Sequence, residues 1–253
     1  IRPVYYYLGQ NTFIFSSEIK SIVKTKIQNF SIDNNSLNQI CFFWTNIGTQ
    51  TSIKNVYSLE PGKYLKWSKY DLKTYRHYLF PTFNKKILTS KKKFNLFNVI
   101  SDAVEGQIHG EVDFGCYLSG GIDSSALAYV LSKKRNLDTF SVKFESNEYD
   151  ESNFQKLVSK KLKTKHHELT IRNKDIADSF FNVINHAETF LFRTAPVPMY
   201  LLSKHVRDLG FKVIYTGEGA DEMLFGYDIF FENRIRNLWK KNPSSKKNPE
   251  LFK

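Results

Sequence analysis

The chain has 253 residues, 41% hydrophobic and 25% charged, which is enough to bury a sizeable core in one large domain or two modest ones and excludes disorder of the whole. No run approaches the roughly 18 apolar residues of a membrane span and no basic, apolar, small-residue signal pattern is present, so the expectation is a cytoplasmic protein with no membrane partner. The formal charge of +12 would suit nucleic acid, but the lysines fall in separate runs ("NKKILTSKKK", "SKKLKTKHH", "KKNPSSKK") and read as solvated faces, so no nucleic-acid partner is expected.

From Val4 to about Pro81 the texture is short and strand-rich. "VYYYLG" and "TFIFSS" read as strands around the turn "GQN", and "SIKNVYSLEPGKYLKW" as two runs joined by a Pro-Gly turn, which together suggest antiparallel sheet. Ser17 followed by Glu18 is placed to cap a short helix, and Ser36 to open another through Leu37, Ile40, Cys41 and Trp44. Cys41 and Cys116 sit in apolar surroundings without metal-ligand spacing, so both read as core thiols in a reducing compartment.

After the linker-like "FPTFNKKILTSKKK" helix and strand alternate. Phe97, Ile100, Val104 and Ile108 recur at helical spacing, "VDFGCYL" reads as a strand, and Ala126, Leu127, Val130 and Leu131 mark the next helix. The strands "TFSVKF", "HHELTI" and "KVIYT" alternate with helices marked by Phe154, Leu157, Val158 and Leu162, by Ile176, Phe180 and Ile184, and by Val197, Leu201, Leu202 and Val206. Strands separated by helices of this length imply right-handed crossovers and a parallel sheet, an α/β fold.

Two motifs follow strands of that sheet, where open α/β folds bind ligands. In "LSGGIDSS", Gly120 and Gly121 let the backbone curl closely around an anion, while helix-head amides and the hydroxyls of Ser119, Ser124 and Ser125 would donate to it. Asp123 would repel a bare phosphate unless a cation sat between them, which suggests magnesium. A plain Gly-rich turn ending in a helix cap fits the loop alone equally well. Neither a Walker loop nor "GxGxxG" is present. In "KVIYTGEGADEMLFGYDIF", Glu218, Asp221 and Glu222 crowd three carboxylates beside glycines, a cost that a cation would offset. An acidic helix start would account for Asp221 and Glu222 but not for the glycines around Glu218. His166 and His167 are adjacent on a strand and face opposite ways, so packing or hydrogen bonding suits them better than a shared metal. Arg193 could reach a substrate carboxylate or a surface acid.

Together these segments carry a resemblance. "LSGGIDSS" resembles the pyrophosphate loop of ATP pyrophosphatases, and "GEGADE" is similar to the second signature of the asparagine synthetase family; "TFSVKF", "YDES", "KTKHHEL" and "YLLSKHVRDLGFKVIYT" follow that family's order. "RPVYYYLGQNTFIFSSEIKSI" resembles the last part of a class II glutamine amidotransferase domain and "IKNVYSLEPGKYLKW" its closing hairpin. The resemblance implies an ATP-pyrophosphatase-type parallel-sheet synthetase domain over residues 82–253, preceded over residues 1–81 by the antiparallel β remainder of an N-terminal-nucleophile amidotransferase domain. It implies adenylation of aspartate by ATP and amidation by glutamine-derived ammonia, yielding asparagine, AMP and pyrophosphate, with a homodimer among the assemblies it allows. It assigns pyrophosphate to Ser119, Gly120, Gly121, Asp123 and Ser124, adenosine to Leu118, Val142, Thr216 and Gly217, magnesium to Asp123 and Asp221, and catalytic work to Glu218, near the incoming ammonia, and Asp123.

Departures accompany it. The family pattern "GADELFGGY" is here "GADEMLFGY", which puts Phe225 where a glycine is usual. The family's glutaminase nucleophile is an N-terminal cysteine whose own amine serves as base, and neither internal cysteine can replace it by that mechanism, so the chain is expected to be an internal piece of a larger enzyme. A related amidoligase acting on a sugar acid, a peptide or a β-lactam precursor would keep both ATP motifs. A tRNA-modifying pyrophosphatase would share "SGGIDS" but not "GEGADE", and a non-catalytic remnant would bind no ATP. The purified chain is expected to release no ammonia from glutamine; release above a boiled control would overturn this.

Overall fold

The computed structural model describes residues 3–68, 71–79, 95–108, 112–145, 150–241 and 243–244. The chain forms two compact units, one of Ile1–Phe94 with Arg172–Leu201, the other of Asn95–Ile171 with Leu202–Lys253. A segment well beyond residue 81 thus packs with the N-terminal strands. The linker-like stretch lies largely outside the described residues.

In the first unit, β1 (Tyr5–Leu8) pairs antiparallel with β2 (Phe13–Ser16) and with β3 (Val56–Ser58), giving the order β2-β1-β3. Tyr7, Val56 and, from α1 (Ile19–Lys24), Ile19 and Ile22 form its core. The Pro-Gly turn does not make the expected hairpin: β4 (Lys63–Ser68) pairs with β5 (Asp71–Arg76) in a separate ribbon. Gly62, at φ +72, turns the chain there, with Tyr78 carbonyl oxygen packed where a Cβ would stand. β5 was not expected, because "DLKTYR" alternates weakly and its paired side chains are mostly exposed.

Capping also departs from expectation. Neither Ser17 nor Glu18 caps α1 with a side chain. The acceptor comes from 169 residues away: Glu188, the left-handed C-cap of α6 (Asn173–Ala187), accepts from the amides of Ile19 and Lys20, each at 2.7 Å. Its side chain is 9% exposed, and Lys20 Nζ lies 3.9 Å from it. A carboxylate on a helix N-terminus satisfies orphan donors and meets the positive end of the dipole. α2 (Asn34–Phe43) is capped by Asp33, whose side chain accepts from the Ser36 amide; Ser36 itself is buried. Ile40 faces the core, so Cys41, one residue round the helix, is exposed rather than a core thiol.

In the second unit, β6 (Phe114–Tyr117), β7 (Asp138–Phe144), β8 (Lys165–Ile171) and β9 (Val213–Tyr215) form a parallel sheet in the order β8-β7-β6-β9. Both faces are covered, as all-parallel sheets require. Phe114, Cys116 and Leu118 pack with Val104 of α3 (Leu96–Glu105) and with Ala128, Val130 and Leu131 of α4 (Ile122–Ser132). On the other face Phe140 packs with Leu202 and Val206 of α7 (Pro196–Asp208). Cys116 is fully buried, as expected, and burial pushes its thiol up to about 12. α5 (Ser152–Leu162) forms where expected but buries Ser152, Gln155 and Ser159, leaving Phe154 and Leu157 exposed. Among the described residues no helix is long and apolar enough to cross a membrane.

The Glu188 cap gives a direct test. Glu188→Ala is expected to cost about 1.5–3 kcal/mol, the range for hydrogen bonds to a charged group, and Glu188→Gln less, since one acceptor survives. Urea midpoints measure both, and an unchanged midpoint for the alanine variant would contradict the cap.

Candidate nucleotide site

The sheet runs outward from β6 through β7 to β8, and then the chain returns to place β9 on the other side of β6. This reversal of strand order opens a crevice beyond the carboxyl ends of β6 and β9, the place where such sheets take ligands. The loops that follow these two strands are the two motifs, residues 118–121 and 216–219.

Leu118 is buried and anchored on β7: its amide donates to Phe140 carbonyl oxygen at 2.9 Å, and its own carbonyl accepts a close bond from Ser141 hydroxyl. Gly120 follows at φ +86, and a Cβ there would lie 2.7 Å from Phe154 Cβ and 2.9 Å from the Gln155 nitrogen. Only glycine fits that backbone and that gap. Gly121 is the N-cap of α4, without a side chain to occupy the helix head. The first amides of a helix lack intrahelical acceptors, so they and the positive end of the dipole face outward.

Hydroxyls tie this head together. Ser124 Oγ accepts from the Ser119 amide at 3.2 Å, lies 2.9 Å from Ser119 Oγ and donates to Gly121 carbonyl oxygen at 3.2 Å; Ser119 Oγ accepts from the Gly121 amide at 3.2 Å. Ser125 Oγ is buried with no hydrogen-bond partner.

The second loop meets the first. A Cβ on Gly217 would lie 3.4 Å from both Asp123 Cβ and the Ser124 nitrogen, ordinary contact distance, so the β9 loop rests against the first turn of α4. Thr216 Oγ1 accepts from the Glu218 amide at 3.3 Å, and Glu218 is exposed at the mouth of the loop. Gly219, at φ +91, starts α8 (Ala220–Leu224), which carries Asp221 and Glu222. Asp221 Oδ1 occupies the space beside Gly226 where a side chain would stand. Tyr227 donates to Glu222 at 2.8 Å, and that bond, then desolvation and the charges of Glu222, Asp221 and Glu218, hold its phenol above the usual range. Phe225, in the glycine position of the pattern, adopts a left-handed φ of +61 and packs edge-on against Phe230 at 5.1 Å. Val142 lies on β7, where its carbonyl accepts from Gln155 Nε2 at 3.1 Å.

The structure therefore brings Leu118, Ser119, Gly120, Gly121, Asp123, Ser124 and Gly217 into one contiguous group, with Thr216 and Glu218 on either side of Gly217 in the same loop. Among the described residues no group of three or more His, Cys, Asp or Glu side chains is arranged to hold a metal ion. His166 Nδ1 instead lies 3.0 Å from Thr139 Oγ1, and His167 Nε2 lies 2.6 Å from Asp138 Oδ1 with its ring stacked on Phe140. Arg193 sits over the Trp44 ring at 4.0 Å. Ser141 and Gln155, which fix Leu118 and Val142, went unnoticed in the sequence. The signal for both was a polar residue recurring on a face that must be buried.

Residues 95–252 match the family model described as asparagine synthase. The chain belongs to the asparagine synthase family. Residues 1–78 match the model of a glutamine amidotransferase domain. Asparagine synthetase (glutamine-hydrolysing) 1 of Bacillus subtilis strain 168 is 28% identical over 98% of this chain and 39% of its own length. Asparagine synthetase (glutamine-hydrolysing) 2 of Arabidopsis thaliana is 32% identical over 70% of this chain and 31% of its own. The chain thus spans less than half the length of these relatives. Among solved structures, NMN synthetase from Francisella tularensis aligns with a TM-score of 0.32 and 18% identity over 52% of this chain and 54% of that one.

One side chain near the sheet reports pH. Burial, chiefly, lowers the pKa of His166, Glu168 opposes this, and His167 and Lys156 add to it. The unfolded chain therefore takes up the proton first, and stability that is fully present above about pH 6.5 is lost as pH falls toward the lowered folded value. His166→Gln is expected to flatten the fall in unfolding free energy between about pH 7 and 5; an unchanged slope would show that His166 does not titrate this way.

Proposed function

We propose that the crevice between β6 and β9 binds magnesium ATP, and that this chain serves an enzyme that adenylates aspartate and amidates it to asparagine, releasing AMP and pyrophosphate. The observation that carries the reading is the contact of Gly217 with Asp123 and Ser124, which makes the two motifs one surface. Membership of the asparagine synthase family supports the choice of reaction, and the names of the relatives support aspartate as the acid and glutamine as the source of ammonia. We assign residues 1–81 to an amidotransferase module and 82–253 to the synthetase module, and place the enzyme in the cytoplasm, where its small-molecule substrates are found.

The chemistry follows from the poor electrophilicity of a carboxylate. Attack of the aspartate carboxylate oxygen on the α-phosphorus of ATP forms an acyl-adenylate and expels pyrophosphate; attack of ammonia on the acyl carbon then expels AMP. In this reading the helix-head amides of α4 and the hydroxyls of Ser119 and Ser124 donate to the pyrophosphate, where developing charge is best met by preorganised donors. Leu118, Val142, Thr216 and Gly217 frame the adenosine, and Glu218 orients the ammonia or takes the proton that its nitrogen gives up as it adds to the acyl carbon. Magnesium is commonly held by one or two carboxylates plus substrate phosphates, and the two motifs offer one aspartate each. Asp123 and Asp221 would hold it, and when bound it would offset the phosphate charge against these acids.

Calorimetric titration of the chain with magnesium ATP tests the reading. Binding is expected to require magnesium and to weaken about tenfold or more in each of Asp123→Asn and Asp221→Asn. Binding by the folded chain that neither substitution disturbs would place the nucleotide elsewhere.

A further inference from the structure

Beside the half-buried Val158 and Leu162, which pack on the core of the sheet, the fully buried residues of α5 are polar where a core-facing helix is ordinarily apolar. Ser152, Gln155 and Ser159 are all buried, and Gln155 is only 4% exposed. Its carboxamide donates from Nε2 to Val142 carbonyl oxygen at 3.1 Å, while Oε1 is buried without a partner. Turning the amide over would set Oε1 against the Val142 oxygen, acceptor facing acceptor, so the donor must point at β7. An apolar side chain of the same volume would fill this space without leaving a bare acceptor. The amide therefore does something that packing alone does not.

Two contacts meet at this residue. The loop reaches α5 by backbone: Gly120 passes so close that a Cβ would stand 2.9 Å from the Gln155 nitrogen. β7 reaches α5 through the carboxamide on Val142. The Leu118 end of the loop is held separately, by Phe140 carbonyl oxygen and Ser141 hydroxyl, and the Ser119–Ser124 network closes on itself. Val142 remains paired with Leu169 of β8, so removing the carboxamide would loosen only the Val142 carbonyl that Gln155 holds, while leaving the phosphate loop in place.

We propose that Gln155 is a positioning residue that sets the nucleoside half of the site by fixing Val142 against the phosphate loop. The proposal rests on the reading of the crevice as an ATP site. It predicts a split between ligands that share phosphates and differ in the nucleoside. The 253-residue wild-type chain, Gln155→Met and Gln155→Leu are titrated with magnesium ATP and with magnesium tripolyphosphate, with thermal unfolding as the check on folding. Affinity for ATP is expected to fall about three- to tenfold in both variants, the worth of one hydrogen bond, with tripolyphosphate held within about twofold of wild type. If the methionine variant does not fold, the leucine variant, which removes the donor without adding charge, carries the test alone. Equal losses for both ligands, an unchanged affinity for ATP, or failure of both variants to fold would make Gln155 a core strut and overturn the proposal. Wild-type chain that binds neither ligand would remove the ATP reading and this inference with it, whereas wild-type binding of both without the split removes the inference alone.

Discussion

The pairing of β9 beside β6 is the constraint on which the site depends. Phe114, Gly115 and Cys116 pair with Val213, Ile214 and Tyr215 in a parallel register only three residues long. That register fixes where both strands end, and hence where both loops emerge. With β9 elsewhere in the sheet, the serine-rich loop would be a helix cap and the acidic loop a surface turn. Side by side, one offers donors and the other carboxylates, and the crevice gains the mixed character that a metal-bridged polyphosphate requires.

Close packing then holds that register. Phe140 stacks on His167 and lies where a Cβ on Gly115 would stand, so the centre of the sheet closes around one ring. Ser141, the next residue on β7, faces the loop through Leu118. Neighbouring side chains on one strand thus serve the two levels of the structure, Phe140 the packing between layers and Ser141 the placement of the loop, as the alternation of strand side chains permits.

The α/β half was legible because its signals are local. Each strand is an apolar run between helices of distinct period, and both motifs sit at strand ends. The parts that escaped are those in which the deciding partner is far away in sequence. Of the apolar stripe of α5, Val158 and Leu162 do pack on the core, but Phe154 and Leu157 stay exposed, and Ser152, Gln155 and Ser159 are buried with Asp150, Val142 and Thr164 as their partners. The local sequence offers Ser17 and Glu18 as the cap of α1, but the cap comes from Glu188. The Pro-Gly turn looked like a hairpin because each flank is strand-like, but β3 completes the β1 sheet and β4 finds β5. Cys41 differs from its expected burial for a related reason: apolar neighbours in sequence are spread around a helix, and Ile40 is buried while Cys41 is not. At the site itself, the identities of the loop residues could be read, whereas the residues that hold them in place could not.

The carboxylate of Glu188 also orders events in time. When the ribosome makes the chain from its N-terminus, α1 emerges with its first amides unmet, and their acceptor follows 169 residues later. At translation rates of about 5–20 residues per second, that interval is on the order of ten to thirty seconds. During it the β1–β3 sheet and its helix lack one wall, and β6, β7 and β8 of the second unit are made in the meantime. The segment that finishes the first unit therefore arrives only after β6, β7 and β8 have been made, and the second unit, which runs on through β9, is finished later still.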